Sequence, residues 1–206
     1  MNVKNFLLLS LLVLLTISWC RHTLADQLRD GDIIFHTSRS SQSITIQKAT
    51  HSKYSHMGII FFRNGKPYVY EAIKTVQYTP LKEWAARGEG GHYVIKRLAN
   101  ADQVLTPQGV AKLQQAATRF QGKPYDVTFE WSDSRMYCSE LVWKIYDRGL
   151  GLHVGRLQKL QEFDLSDPIV KSKMKERYGN HIPMEETVVS PGEMFLADSL
   201  KVAVQR

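Results

Sequence analysis

The chain has 206 residues, 43% hydrophobic and 23% charged, with a formal net charge of +7 and two cysteines. No stretch is poor enough in apolar residues to read as a disordered linker and no internal repeat shows, so one domain of this size can bury its own core without staples. The basic excess is dispersed, and its densest run, Lys171 to Arg177, holds Glu176 inside it; that reads as a solvated face rather than a nucleic-acid site, and leaves only a weak attraction to anionic lipid or cell-wall polymer.

Residues 1–25 read as a secretory signal peptide. Lys4 gives a positive start, Phe6 to Ile17 is an almost unbroken apolar run, and Thr23-Leu24-Ala25 offers a small residue before Asp26. A retained anchor and a lipid-modified Cys20 are the competing readings. The apolar run is short for a membrane span, and Trp19 stands where a lipoprotein signal carries a small residue. Cleavage after Ala25 leaves 181 residues, 26–206, removes Lys4 and Arg21, and lowers the net charge to about +5. The expected product is an exported, periplasmic protein with Cys138 as its one cysteine. In an oxidising compartment a lone thiol is inert in a core, linked to another chain, or reactive for a purpose.

In chain order, Leu28 to Asp32 is a turn and Ile33-Ile34-Phe35 a buried strand. Ser38 to Thr50 reads as a helix. Tyr54 to Phe62 is strand-like, Asn64-Gly65 is a hairpin signal, and Tyr68 to Ala72 is the return strand. Val76 to Tyr78 pairs next, Pro80 opens a short helix through Trp84, and Tyr93 to Leu98 is a further strand. Thr106-Pro107 caps a helix with Val110, Leu113, Ala117 and Phe120 on one face. Tyr125 to Tyr137 is a loop rich in aromatic residues. Ser139 to Arg148 returns to helical spacing, with Gly149 placed to stop it. The tail carries an amphipathic helix near Ile169 to Tyr178 and a last strand near Glu193 to Leu196. The expectation is an α+β fold, an antiparallel sheet packed against helices.

Cys138 falls at the start of a predicted helix. The positive end of a helix favours a thiolate, and its unpaired backbone N–H groups can hold an oxyanion forming beside the sulfur. The polar residues around it, Trp131 to Arg135 with Ser139 and Glu140, weigh against a thiol that is merely packed. His56 sits in a strand, where a ring direction is well held, just ahead of Gly58, which admits a close neighbour. On spacing alone, an ordinary half-buried histidine with one hydrogen bond fits His56 better. Glu71 changes that weighing. With the turn centred between Asn64 and Gly65, position 73 faces His56, and Glu71 lies diagonal to it on the same face. A carboxylate there would fix the imidazole tautomer and stabilise the imidazolium; an exposed edge-strand acid is the competing reading. No metal-ligand spacing, phosphate-cradling loop or cofactor motif is present.

Four segments in this order, Leu28 to Phe35, Tyr54 to Ile59, Val69 to Ala72 and Tyr137 to Val142, resemble the YiiX/YaeF family. Those are permuted papain-like proteins of the wider NlpC superfamily of cysteine amidases and peptidases. The resemblance implies a circularly permuted papain-like core, with the histidine strand ahead of the cysteine helix. It implies His56 as the family's histidine, Glu71 as its acid and Cys138 as its nucleophile. It also implies Tyr54 as the site's tyrosine, a donor to the oxyanion or substrate; Tyr137 does the same or merely packs.

The expected function is a cysteine hydrolase that cleaves an amide or ester, through a thioester acyl-enzyme, on a peptide or lipid of the cell envelope. Two alternatives share the fold. One is a module that binds amino-acid or peptidoglycan fragments, and the other is a lipid acyltransferase with an acceptor other than water.

Overall fold

The computed structural model describes residues 24–206, so all but the last two residues of the expected signal peptide lie outside the described residues. In chain order the elements are α1 (Leu24–Gln27), β1 (Ile33–His36), α2 (Ser43–Thr50), β2 (His56–Arg63), β3 (Lys66–Ala72), β4 (Val76–Pro80) and α3 (Leu81–Ala86). Then come β5 (Val94–Leu98), α4 (Ala101–Val104), α5 (Pro107–Thr118), α6 (Cys138–Leu150), β6 (Gln158–Lys159), α7 (Pro168–Tyr178), β7 (Thr187–Val188), α8 (Pro191–Leu196) and β8 (Leu200–Gln205). Six strands form one antiparallel sheet in the order β4-β3-β2-β1-β5-β8, and the architecture is α+β. Among the described residues no helix is long and apolar enough to cross a membrane.

The sheet is covered on both faces, which is why β1 reads as an unbroken apolar run. Ile33 and Phe35 pack with Ile59, Phe61, Leu113 and Leu141 on one face, while Ile34 packs with Ile60, Val69, Ile95 and Trp84 on the other. Successive strand side chains point to opposite faces, so burial on both sides demands apolar residues at every position. Helices α5 and α6 lie on the first face. Gly149 lets them meet: a Cβ there would sit 3.1 Å from Leu113 Cα. This glycine is inside α6 rather than its stop. Gly151, at φ 66°, takes the left-handed cap instead.

Two other expectations change. The helix expected over Ser38 to Thr50 starts only at Ser43. Serine side chains upstream bind backbone in a non-helical turn: Ser38 Oγ accepts from Ser40 N–H at 3.1 Å, and Ser55 Oγ accepts from Ser38 N–H at 2.9 Å. The strand expected near Glu193 to Leu196 is helix α8, because Ser190 Oγ caps Glu193 N–H at 3.0 Å and Pro191 takes the first helical position. The last strand lies further on, at β8 against β5. Helix α7 is capped by Asp167, whose Oδ1 accepts from Ile169 N–H at 2.8 Å; Val170 and Met174 bury its inner face with Leu160.

Candidate active site

The β2–β3 hairpin places the first pair of site residues. Asn64 and Gly65 both have positive φ, 50° and 71°, as a two-residue turn matched to strand twist requires. The ladder runs Arg63↔Lys66 through Ile59↔Tyr70, the register that puts Glu71 diagonal to His56. Gly58 makes that pairing tight: a Cβ there would lie 2.5 Å from Val69 Cγ1. His56 Nε2 and Glu71 Oε2 are 2.6 Å apart, and Glu71 is fully buried. A buried carboxylate is costly unless its oxygens are satisfied. Here Glu71 Oε1 accepts from Thr79 Oγ1 at 2.6 Å and from the Arg87 guanidinium. Burial alone would raise the Glu71 carboxyl; the His56 and Arg87 contacts outweigh it and hold it down to about 2.

Cys138 is the first residue of α6, 3% exposed, and lies near enough to His56 for its charge to favour the imidazolium. Since Nε2 is committed to Glu71, Nδ1 is the nitrogen left for the sulfur. Burial pulls the His56 imidazolium down, but the contacts and charges of Cys138 and Glu71 prevail and raise it to about 9. The helix start is tied to the tail of the chain. Tyr137 Oη accepts from Val189 N–H at 3.2 Å, and Ser139 Oγ donates to Val189 O at 2.7 Å. Tyr137 sits edge-on to Phe129 and anchors the wall beside the thiol.

Further along α6, a buried pair locks the loop over residues 125–137. Lys144 Nζ donates to Glu140 Oε1 at 2.8 Å, to Asp133 Oδ1 at 3.0 Å and to Ser132 O at 2.6 Å. Burial pushes the Glu140 carboxyl up to about 7, against the pull of Lys144.

Two cavities meet at this site. The first is apolar and opens beside Cys138. Ile46, Phe129, Leu160, Phe163, Val170 and Met174 line it, drawn from α2, α7 and the segments between. The second is a polar cleft on the His56 side, walled by the Ser38–Gln42 turn, Arg87 and α7. Tyr125 and Arg177 line both.

Of the five residues singled out by sequence, His56, Glu71, Cys138 and Tyr137 come together. Tyr54 does not line either cavity; its ring stacks on Phe195 at 4.0 Å. Tyr125 lines both cavities. Its hydroxyl accepts from Gln42 Nε2 at 2.9 Å, which leaves its own proton free to donate, and burial together with the nearby Cys138 charge keeps that proton on. No periodic pattern marks Tyr125 in the sequence. His36 was passed over as well. It is 1% exposed, stacked on Trp84 at 3.9 Å, with its ring centre 5.4 Å from that of His56.

The family model for the permuted papain-like amidases, YaeF/YiiX, C92 family, matches residues 27–203. The uncharacterized protein YiiX of Escherichia coli strain K12 is 55% identical over 200 residues, covering 96% of this chain and 94% of that protein. A crystal structure described as metalloprotein yiiX from Escherichia coli O157:H7 superposes with a TM-score of 0.84 at 56% identity, covering 87% of this chain and 98% of that one. Among the described residues of this chain no three His, Cys, Asp or Glu side chains converge as a metal-binding set. By the extent of these matches the chain belongs to the YaeF/YiiX family of permuted papain-like amidases.

Proposed function

We propose that the protein is an exported cysteine hydrolase that cleaves an amide or ester whose acyl part is apolar, on a lipid or peptide of the cell envelope. The observation that carries it is one imidazole, His56, bonded to Glu71 and neighbouring Cys138, with Cys138 on the wall of an apolar cavity.

In this reading His56 takes the thiol proton and Cys138 Sγ attacks the carbonyl carbon. The backbone N–H of Cys138, free of an intrahelical acceptor at the first turn, and the Tyr125 hydroxyl hold the oxyanion. The bond to the leaving group breaks, and His56 Nδ1–H supplies the proton that the departing oxygen or nitrogen needs. Water then attacks the thioester, giving its proton to His56, and the acid and free thiol are released. Glu71 holds the ring and stabilises its charged form. The cavity beside Cys138 takes the acyl chain, since a long apolar chain gains about 0.8 kcal/mol for each methylene removed from water.

The test is acyl-enzyme trapping. Wild-type protein mixed with long-chain acyl esters and amides and quenched in acid should gain the acyl mass on the peptide holding Cys138. Cys138→Ala should not gain it. A steady supply of free acid with no adduct, unchanged in Cys138→Ala, would remove the nucleophile from this reading. Recovery of the acyl group on an added alcohol or amine instead of water would mark a transferase.

A further inference from the structure

The geometry points to an anionic leaving group: the alcohol or amine half of the substrate carries a phosphate or carboxylate, held in the polar cleft beside His56. This rests on the hydrolase reading, which fixes where the two halves lie. With the acyl chain in the apolar cavity and the carbonyl at Cys138, the scissile bond must point toward the group that protonates the leaving atom. That group is His56, and the space it faces is the cleft.

The cleft is strongly cationic. Arg39 and Arg87 stand on one side, and Lys173 and Arg177 on the other, four apart on one face of α7. Among the described residues lining it the one acid is Glu176, which is paired with Lys173 at 2.6 Å. Arg87 is likewise paired, with Glu71 behind it, so two positive charges remain without counting His56. They are partly positioned in advance. Arg177 Nη2 donates to Gln42 Oε1 at 2.9 Å, and its guanidinium lies over the Phe129 ring at 4.8 Å, at the junction with the apolar cavity. Arg39 spends one nitrogen on Ala86 O at 2.6 Å and Arg87 spends one on Glu71, so each guanidinium keeps further N–H donors for a ligand. Arginine forks match phosphate and carboxylate oxygens, and a recessed cleft of one sign concentrates its field. A cationic leaving group would be repelled here, and a neutral one would leave the field unused.

The experiment uses two pairs of substrates with the same medium-length acyl chain. An acylglycerol phosphate is set against the acylglycerol, and an acylglutamate against the acylglutamine amide. The ratio of kcat/KM within each pair should favour the anion by about tenfold or more, the worth of one or two charge-assisted hydrogen bonds. That ratio should collapse when the Debye length falls from about 30 Å to about 3 Å between ~0.01 M and ~1 M salt. It should also fall in Lys173→Gln and Arg39→Gln. A larger ratio in the first pair identifies phosphate, and in the second a carboxylate. Equal rates within both pairs, or ratios that the salt and the variants leave alone, overturn the anionic leaving group while the hydrolase stands. If no substrate is turned over, the hydrolase reading fails. Binding of the same pairs to Cys138→Ala by calorimetry then decides the charge question: tighter binding of the anions upholds it, and equal binding overturns it.

Discussion

His56 Nε2 and Glu71 Oε2 lie 2.6 Å apart across the β2–β3 hairpin, so the orientation of the ring is set by strand register rather than by a mobile loop. Neutralising the acid tests what that contact does. In the proposed reaction the imidazolium of His56 protonates the leaving group, so activity should be lost as pH rises through its value of about 9. In Glu71→Gln one of the two stabilising partners is gone while burial still opposes the charge. The basic limb of kcat/KM should move down toward the ordinary 6.5, and kcat should fall by about 10²–10⁴, as for a neutralised triad acid. A basic limb that stays in place in Glu71→Gln would mean that the carboxylate only fills space.

That contact was legible in the sequence because each step to it is local. Asn64-Gly65 fixes the turn, period-two alternation fixes the faces, and the register follows. Cys138 was legible for a similar reason, since the apolar positions after it announce the helix it begins. Tyr125 was not. It is positioned by a bridge to Met136 and by the Asp126 side chain, whose oxygens accept from Thr128 N–H and Glu130 N–H; none of this repeats with a period. Tyr54 is named on the family resemblance alone, and the structure packs it away from the two cavities. It precedes the strand, and Phe195 arrives from the far end of the chain to stack on it. The apolar cavity is assembled from α2, the 160–165 segment and α7, so only the folded chain brings it into view.

Filling that cavity should shorten the chain it accepts. Val170 is 1% exposed and Met174 5%, both on its wall. With wild-type protein, kcat/KM should rise roughly fourfold for each added methylene until the cavity is full, at about 0.8 kcal/mol each. In Met174→Trp that rise should stop several carbons earlier, with short-chain substrates much less affected. A chain-length series on the two proteins checks this. Parallel curves would place the acyl chain elsewhere.

The buried Glu140–Lys144 pair predicts a large cost when half of it is removed. Lys144→Met leaves the Glu140 carboxylate without its ammonium and strands Ser132 O. Breaking one side of a buried pair typically costs about 3–5 kcal/mol. The double change Glu140→Gln with Lys144→Met should recover part of that loss, because the uncompensated charge is gone. Urea unfolding of the three proteins measures it. A cost below about 1 kcal/mol, the range of an exposed pair, would show that water reaches Glu140 after all.

His36 makes a separate prediction about acid. Both of its ring nitrogens are buried with no hydrogen-bond partner among the described residues, and Trp84 stacks on its face. Burial, reinforced by the charges of His56 and Arg87, lowers it from the usual 6.5 to about 3. Between those values the unfolded chain holds a proton that the folded chain refuses, so stability is lost as pH falls from 6.5 toward 3. Glu71 acts in the same direction but only below its ordinary 4.5, and His56 costs stability only above 6.5, as pH rises toward 9. The interval from 6.5 down to 4.5 therefore isolates His36 from those two groups. His36→Phe keeps the flat ring against Trp84 and removes the proton. Glu140, held up to about 7, gains stability as pH falls through the same interval, so the comparison between the two proteins carries the prediction: urea midpoints should fall further with acidity in the wild type than in the variant. Parallel lines for the two proteins would mean that His36 already carries its proton in the folded state, and that a water or anion reaches the gap between Trp84 and His56.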